Sequence, residues 1–174
     1  MKKIAFTLVA CIAVAGSALA GKEIKEFKQP VEPCFKDTEL QLDFFGSYTD
    51  THSKGTYGDG FGGGVGINYF FTRYLGIGAD AQIFDGGVNG VWMFSGSLIA
   101  RYPIELGGFC LAPYAFGGGG FQEDGRQAGT AHAGAGLEFR IVPEKFGIYA
   151  EGRYTWVAGP DDYTQGRVGV RIVF

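Results

Sequence analysis

At 174 residues the chain has the length of one domain. Its 31 glycines follow no Gly-x-y period, which excludes collagen, and 46% hydrophobic content argues against a disordered chain. A net charge of −3 leaves no basic footprint for nucleic acid. Abundant Gly and aromatic residues with few helix formers predict many short strands.

The N-terminus reads as an export address. Lys2 and Lys3 form a positive region, Ile4 to Ala15 is apolar, and Ala18-Leu19-Ala20 is a small-x-small cleavage site before Gly21. Residues 1–20 are therefore expected to be a cleaved signal peptide. The apolar run is too short for a spanning helix, and Gly16 and Ser17 break it. An alternative stays open: Leu8-Val9-Ala10-Cys11 resembles a lipobox, which would acylate Cys11. Cleavage after Ala20 removes Lys2 and Lys3 and takes the net charge from −3 to −5. It leaves Cys34 and Cys110, which in an exported chain suggest one disulfide. The alternative is two unpaired thiols.

Residues 21–36 read GKEIKEFKQPVEPCFK, rich in Lys and Glu and without a strand period. They are expected to be an extended, charged N-terminal segment. From residue 37 the texture changes, and all seven Arg lie in this region.

Eight segments then alternate with period 2, the strand signature. The first carries Leu40, Leu42, Phe44 and Tyr48 opposite Gln41, Asp43 and Ser47. The second sets Phe61, Val65, Ile67, Tyr69 and Phe71 against Gly62, Gly64, Gly66 and Asn68. The third sets Leu75, Ile77, Ala79, Ala81 and Ile83 against Gly76, Gly78, Asp80 and Gln82. In the fourth, Trp92, Phe94, Leu98, Ala100 and Tyr102 oppose Ser95, Ser97 and Arg101. The fifth, Phe109 to Phe121, is ambiguous because Gly117–Gly120 blur both faces. The sixth sets Ala131, Ala133, Ala135, Leu137, Phe139 and Ile141 against His132, Glu138 and Arg140. The seventh sets Ile148, Ala150, Tyr154 and Trp156 against Tyr149, Glu151, Arg153 and Thr155. The last sets Val168, Val170, Ile172 and Phe174 against Arg167, Gly169 and Arg171.

The connections alternate in length. Thr72-Arg73, Pro103–Gly108 and Val142–Lys145 are short turns, whereas Thr49–Gly60, Asp85–Gly90, Gln122–Gly129 and Ala158–Gln165 read as loops. Three turns on one rim and four loops on the other fit an all-β, eight-stranded antiparallel up-and-down barrel spanning residues 37–174, with both ends on the turn side.

A soluble barrel keeps its apolar face inside; a membrane barrel turns it to lipid. Here the polar face carries Asp43, Asp80, Glu138 and Glu151 with Arg101, Arg140, Arg153 and Arg171, a balanced set that a narrow lumen can hold. The apolar face gathers aromatics at strand ends. Tyr69, Phe71, Tyr102, Phe139 and Phe174 lie toward the turns, and Tyr48, Phe61, Trp92, Phe94, Tyr154 and Trp156 toward the loops. Val65, Ile77, Ala79, Leu98, Ala133, Ala135 and Ala150 lie between them. Two aromatic girdles around an aliphatic band predict a transmembrane β-barrel.

The hairpin NYFFTRYLGIGADAQ at 68–82, LAPYAFGGGGF at 111–121 and the terminal RVGVRIVF at 167–174 carry a family resemblance. The chain resembles the OmpA/OmpX-type small outer-membrane β-barrels of Gram-negative bacteria. The resemblance implies outer-membrane localisation, contact with outer-membrane lipids and lipopolysaccharide, and recognition of terminal Phe174 by the barrel-assembly machinery. It places residues 21–36 in the periplasm. No peptidoglycan-binding domain is expected after Phe174, so peptidoglycan anchoring is not carried over.

Chemistry is sparsely marked. Gly58-Asp59-Gly60-Phe61-Gly62-Gly63 fits a nucleotide fingerprint only as letters, because a loop precedes it and a strand follows. His52-Ser53 falls in a loop, and His132 faces inward with no serine two residues away, so no catalytic constellation is expected. Asp85, Glu123, Asp124, Asp161 and Asp162 match no calcium loop and read as solvated, so no metal or cofactor is expected. The expectation is a non-enzymatic barrel with a structural or surface-interaction role. Eight strands leave only a lumen that side chains fill, here with a connected salt-bridge network. The rivals are a narrow channel handling solutes or lipids and a lipid A-modifying enzyme. A disulfide between Cys34 and Cys110 would pin residues 30–37 across the periplasmic mouth.

Overall fold

The computed structural model describes residues 33–51, 59–85, 90–106, 108–159 and 162–174. The signal peptide, Cys11, the lead as far as residue 32, His52-Ser53, Gly58 and Asp161 lie outside these residues. Nine strands follow in order: β1 (Glu39–Thr51), β2 (Gly60–Phe70), β3 (Leu75–Asp85), β4 (Gly90–Arg101), β5 (Ile104–Leu106), β6 (Phe109–Glu123), β7 (Gln127–Val142), β8 (Phe146–Val157) and β9 (Tyr163–Val173). All pairings are antiparallel between neighbours in the chain, with two exceptions that make the ring: β1 pairs with β9, and β4 pairs with β6. Eight strands form the closed wall, as the periodicity predicts, and the ring removes the sheet edges that would otherwise bind another chain.

The ninth strand departs from expectation. Pro103–Gly108 reads as a turn, yet Ile104–Leu106 pairs with Phe109–Leu111. Pro103 has no N–H and interrupts the ladder, while Tyr102 N donates to Pro113 O at 2.8 Å and keeps the two strands in register. β4 and β5 thus act as one strand broken at a proline. On the opposite rim, Gln122–Gly129 reads as a loop but is a tight turn between Glu123 and Gln127. Gly125 takes φ +100° there, and Arg126 N donates to Asp124 Oδ1 at 3.2 Å. The remaining turns match their predicted places: Thr72 Oγ1 accepts from Tyr74 N and Leu75 N, and Lys145 N donates to Val142 O.

The seam between the first and last strands ends at the chain terminus. Phe174 N donates to Leu40 O at 2.9 Å, and Leu40 N returns a bond to Phe174 O at 3.4 Å.

The two faces are sorted as the alternation predicts. Val65, Ile77, Leu98, Leu137, Ile148 and Val168 are exposed on the outer wall, while Asp43, Arg101, Glu138, Arg140, Arg153 and Arg171 are buried. The blurred strand resolves too. Phe109, Ala115 and Phe121 point out, and Cys110, Ala112, Tyr114 and Gln122 are buried inside. Phe109 and Phe121 add to the two aromatic girdles. Tyr48 packs on Phe61, Phe94 on Phe121 and Tyr154 on Trp156 near the loop rim, while Tyr69 packs on Phe71 and Phe109 on Phe139 near the turn rim. Phe44 is an outward aromatic that sits between the girdles.

Candidate functional site

The interior is a stack of layers, and each layer follows from the register. At the turn rim, Cys34 and Cys110 are joined by a disulfide, with Cα atoms 5.8 Å apart. They form a buried apolar cluster with Phe35 and Ala112. The lead therefore does not trail away at Cys34: Phe35 is 0% exposed.

Beneath Phe35 lies the first ion cluster. Glu39 Oε1 accepts from Arg101 Nη1 at 2.9 Å and from Arg140 Nη2 at 2.5 Å. Arg140 also pairs with Glu138 through Nε. Glu138 Oε2 accepts from Arg171 Nη1 at 2.6 Å, and Arg171 Nη2 reaches Asp43 Oδ2 at 2.6 Å. Asn68 Nδ2 donates to the same carboxylate at 2.8 Å. Six residues form one chain of contacts, three acids against three arginines. A carboxylate shared by two guanidiniums needs arginine, whose planar fork offers several donors in fixed geometry.

Phe45, Tyr114 and Tyr149 form an aromatic layer above it, backed by Ile99 and Phe116. The Arg171 guanidinium lies 4.5 Å from the Tyr149 ring centroid. The second ion cluster follows. Asp80 Oδ1 accepts from Arg153 Nη1 at 3.3 Å and Arg167 Nη2 at 3.2 Å, and Arg167 Nη1 reaches Glu151 Oε1 at 3.3 Å. Ser95 Oγ donates to Asp80 at 2.6 Å. The Tyr114 hydroxyl donates to Glu151 Oε2 at 2.7 Å, and the ring of the same residue lies 5.6 Å from the Arg171 guanidinium of the first cluster.

All eight charged residues singled out from sequence are thus found in ion pairs. The pairs fall into two sets rather than the single connected network expected, because the ring-bearing residues of β1, β6 and β8 separate them. Two further members complete the sets: Arg167, on the polar face of the last strand, and Glu39, which stands one residue before the alternation becomes visible. Each set is neutral by itself, which limits the cost of burying its charges.

Toward the loop rim the lumen is lined by neutral polar and then apolar groups. Gln82 donates to Gln165, and Gln165 to Thr49 Oγ1 at 2.9 Å. Phe84, Val91, Met93 and Tyr163 form a buried apolar cap above them. A cavity of about 40 Å³, lined by Asp43, Asn68, Ser97, Tyr114, Glu151 and Arg167 among others, lies between the ion clusters. It has room for about three waters. A larger hollow, about 690 Å³, is on the outer wall where Ala79, Ala81 and Gly96 stand beside Val65, Phe94 and Phe121.

One pair escaped the sequence altogether. Ser97 Oγ and His132 Nε2 are 2.8 Å apart. They belong to β4 and β7, which are not neighbours. Gly118 of β6 lies in register with both, and its missing side chain lets them meet across it. His132 is buried, its Nδ1 has no hydrogen-bond partner among the described residues, and its ring lies 6.1 Å from that of Phe116. Among the described residues no group of three His, Cys, Asp or Glu is placed to hold a metal.

No protein-family description matches the chain, and no curated protein matches it. Solved structures do. The N-terminal β-barrel domain of Pseudomonas aeruginosa OprF is 20% identical, with 80% of this chain and 99% of that one covered at a TM-score of 0.62. Neisserial surface protein A is 15% identical, covering 77% and 95% with a TM-score of 0.60. Ail, the attachment invasion locus protein of Yersinia pestis, is 18% identical, covering 79% and 99% with a TM-score of 0.58. A de novo designed transmembrane β-barrel aligns as well, at 17% identity and a TM-score of 0.59. The chain has the fold of the small eight-stranded outer-membrane barrels, and the resemblance read from its hairpins holds at the level of fold.

Proposed function

We propose that the chain is a bacterial outer-membrane barrel, with its turn rim in the periplasm, that acts as a scaffold or surface-interaction protein and does not pass solutes. The observation that carries this is the distribution of polarity. The outer wall is apolar between two aromatic girdles, while ten charged side chains face inward as two neutral clusters, eight of them buried and Asp80 and Glu151 half-buried. Water-soluble barrels have the reverse arrangement. Lipopolysaccharide and outer-membrane lipids are then the surroundings of the wall, and the loop rim faces outward to any surface partner.

Planar-bilayer recording of the refolded protein tests the closed lumen. No large persistent conductance is expected; stable openings of porin size would replace this reading with the channel.

The Ser97–His132 pair favours a second reading, a lipid-modifying hydrolase, since it places a nucleophile beside a base. Against it, no orienting acceptor stands at His132 Nδ1 among the described residues, as such catalysis requires, and the pair lies inside the lumen. Lipid A mass spectra with and without the protein separate the two readings.

A further inference from the structure

We propose that Phe35 is a tethered stopper for the turn-side mouth of the lumen, and that the Cys34–Cys110 disulfide is the latch that keeps it seated. The inference rests on the closed-lumen reading and adds a condition to it: closure at this end depends on the oxidation state of one bond.

Phe35 belongs to no strand, yet it is fully buried among barrel residues. Its ring lies 5.0 Å from the Arg101 guanidinium and 4.9 Å from that of Arg140. Arg101 in turn stands 3.7 Å from the Phe70 ring centroid, so the guanidinium is held between two aromatic faces. Phe35 therefore covers the Glu39-centred ion pairs and keeps water from them. The stopper is fixed by four contacts besides the disulfide: Arg101 Nη2 donates to Lys36 O at 3.4 Å, Lys36 N donates to Glu39 Oε2 at 3.3 Å, Lys36 pairs with Glu144, and Arg73 N donates to Asp37 Oδ1 at 2.6 Å. The last two, an ion pair and a backbone-to-carboxylate hydrogen bond, lie at the exposed rim, where such contacts contribute little. The covalent link from Cys34, next to Phe35, to Cys110 at the start of β6 is thus the strong restraint.

Release requires a dithiol. A thiolate of the reductant attacks one sulfur, the Cys34–Cys110 bond breaks through a mixed disulfide, and the second thiol of the reductant resolves it. Two electrons pass to the protein, both cysteines gain a proton, and the reductant leaves as its own disulfide. Phe35 is then free to leave with residues 33–36, and Arg101 and Arg140 become open to water.

Arginine reactivity reports this directly. Phenylglyoxal modification of the folded barrel, mapped by mass spectrometry, is compared in four samples: the oxidised wild type, the wild type fully reduced by dithiothreitol after folding, a Cys34→Ser/Cys110→Ser variant, and Phe35→Ala. Modification of Arg101 and Arg140 is expected to quicken roughly tenfold in the last three, as for a local opening made easier without global unfolding. Arg153 and Arg167 should stay slow throughout, and Arg73 at the rim should react alike in all four. Unchanged rates at Arg101 and Arg140 in the folded, reduced wild type overturn the stopper. Fast modification of Arg153 and Arg167 in the oxidised wild type shows instead that the lumen itself is open, and the proposal falls with that reading. If a variant does not fold, the reduced wild type alone decides.

Discussion

Arg171 shows how a single side chain is held in this interior. It bonds Asp43 and Glu138 and lies against Tyr149, so truncation strips two carboxylates of a partner at once. Arg171→Ala is expected to cost about 3–5 kcal/mol in urea unfolding of the refolded barrel. On the outer wall the penalty has the opposite origin. Ala133 faces outward, and Ala133→Arg should cost about 2–4 kcal/mol in a bilayer, where no partner meets the charge; a neutral result would invert the assignment of faces. Gly134 is no neutral comparator for that test. A Cβ there would come within 2.4 Å of Gly152 O and of the Phe116 ring. Gly118 is tighter still: its Cβ would meet Gly96 O at 1.9 Å, with Ser97 Cα at 2.9 Å. Gly118→Ala is therefore expected to destabilise by about 1–3 kcal/mol in the same unfolding assay and to separate Ser97 from His132.

Strands were legible wherever side chains mark both faces. β1, β3 and β9 alternate cleanly because each places large apolar groups against polar ones. β6 was not legible, since Gly117–Gly120 carry no side chains and hence no polarity to alternate. β5 was hidden by Pro103, which signals a turn in sequence but only interrupts a ladder that resumes at Ile104. The ion pairs were legible as a set of inward charges, whereas their division in two was not, because it depends on rings from β1, β6 and β8 meeting in one layer. Phe35 gave no signal: a single aromatic in a charged lead acquires its place only from Arg101 and Arg140, distant in sequence. The final strand carries its own prediction. Val168, Val170 and Ile172 lead outward-facing to Phe174, whose backbone also completes the seam with Leu40. Deleting Phe174 should lower the amount of protein recovered in fractionated outer membranes; an unchanged amount would remove its role in assembly.

At the scale of the whole molecule, a buried apolar cluster stands toward each rim, Phe35 with Cys34, Cys110 and Ala112 at one and Phe84, Val91, Met93 and Tyr163 at the other, with two neutral ion clusters between them. Loss of Glu151 leaves Arg167 with Asp80 as its remaining carboxylate and frees the Tyr114 hydroxyl. Glu151→Ala is therefore expected to show brief, small openings in bilayer recordings where the wild type shows none. The disulfide spans 76 residues, and chain entropy suggests about 4 kcal/mol of stabilisation from closing so long a loop. Thiol counting on unreduced, denatured mature protein should find none free at Cys34 and Cys110.

The seam between β1 and β9 has a consequence for the order of events in folding. It joins Gln41 to Val173 and Thr51 to Tyr163, contacts between opposite ends of the chain. Contacts of such high sequence separation form slowly, since the loop between them must be closed before they bring any gain. Every other strand pair can form as its hairpin is completed, but the ring cannot. Until β9 pairs with β1 the barrel is a curled sheet with two unpaired margins, each able to template a foreign strand. Its period of greatest vulnerability is therefore the interval after the hairpins have paired and before the hydrogen bonds of that one seam join them.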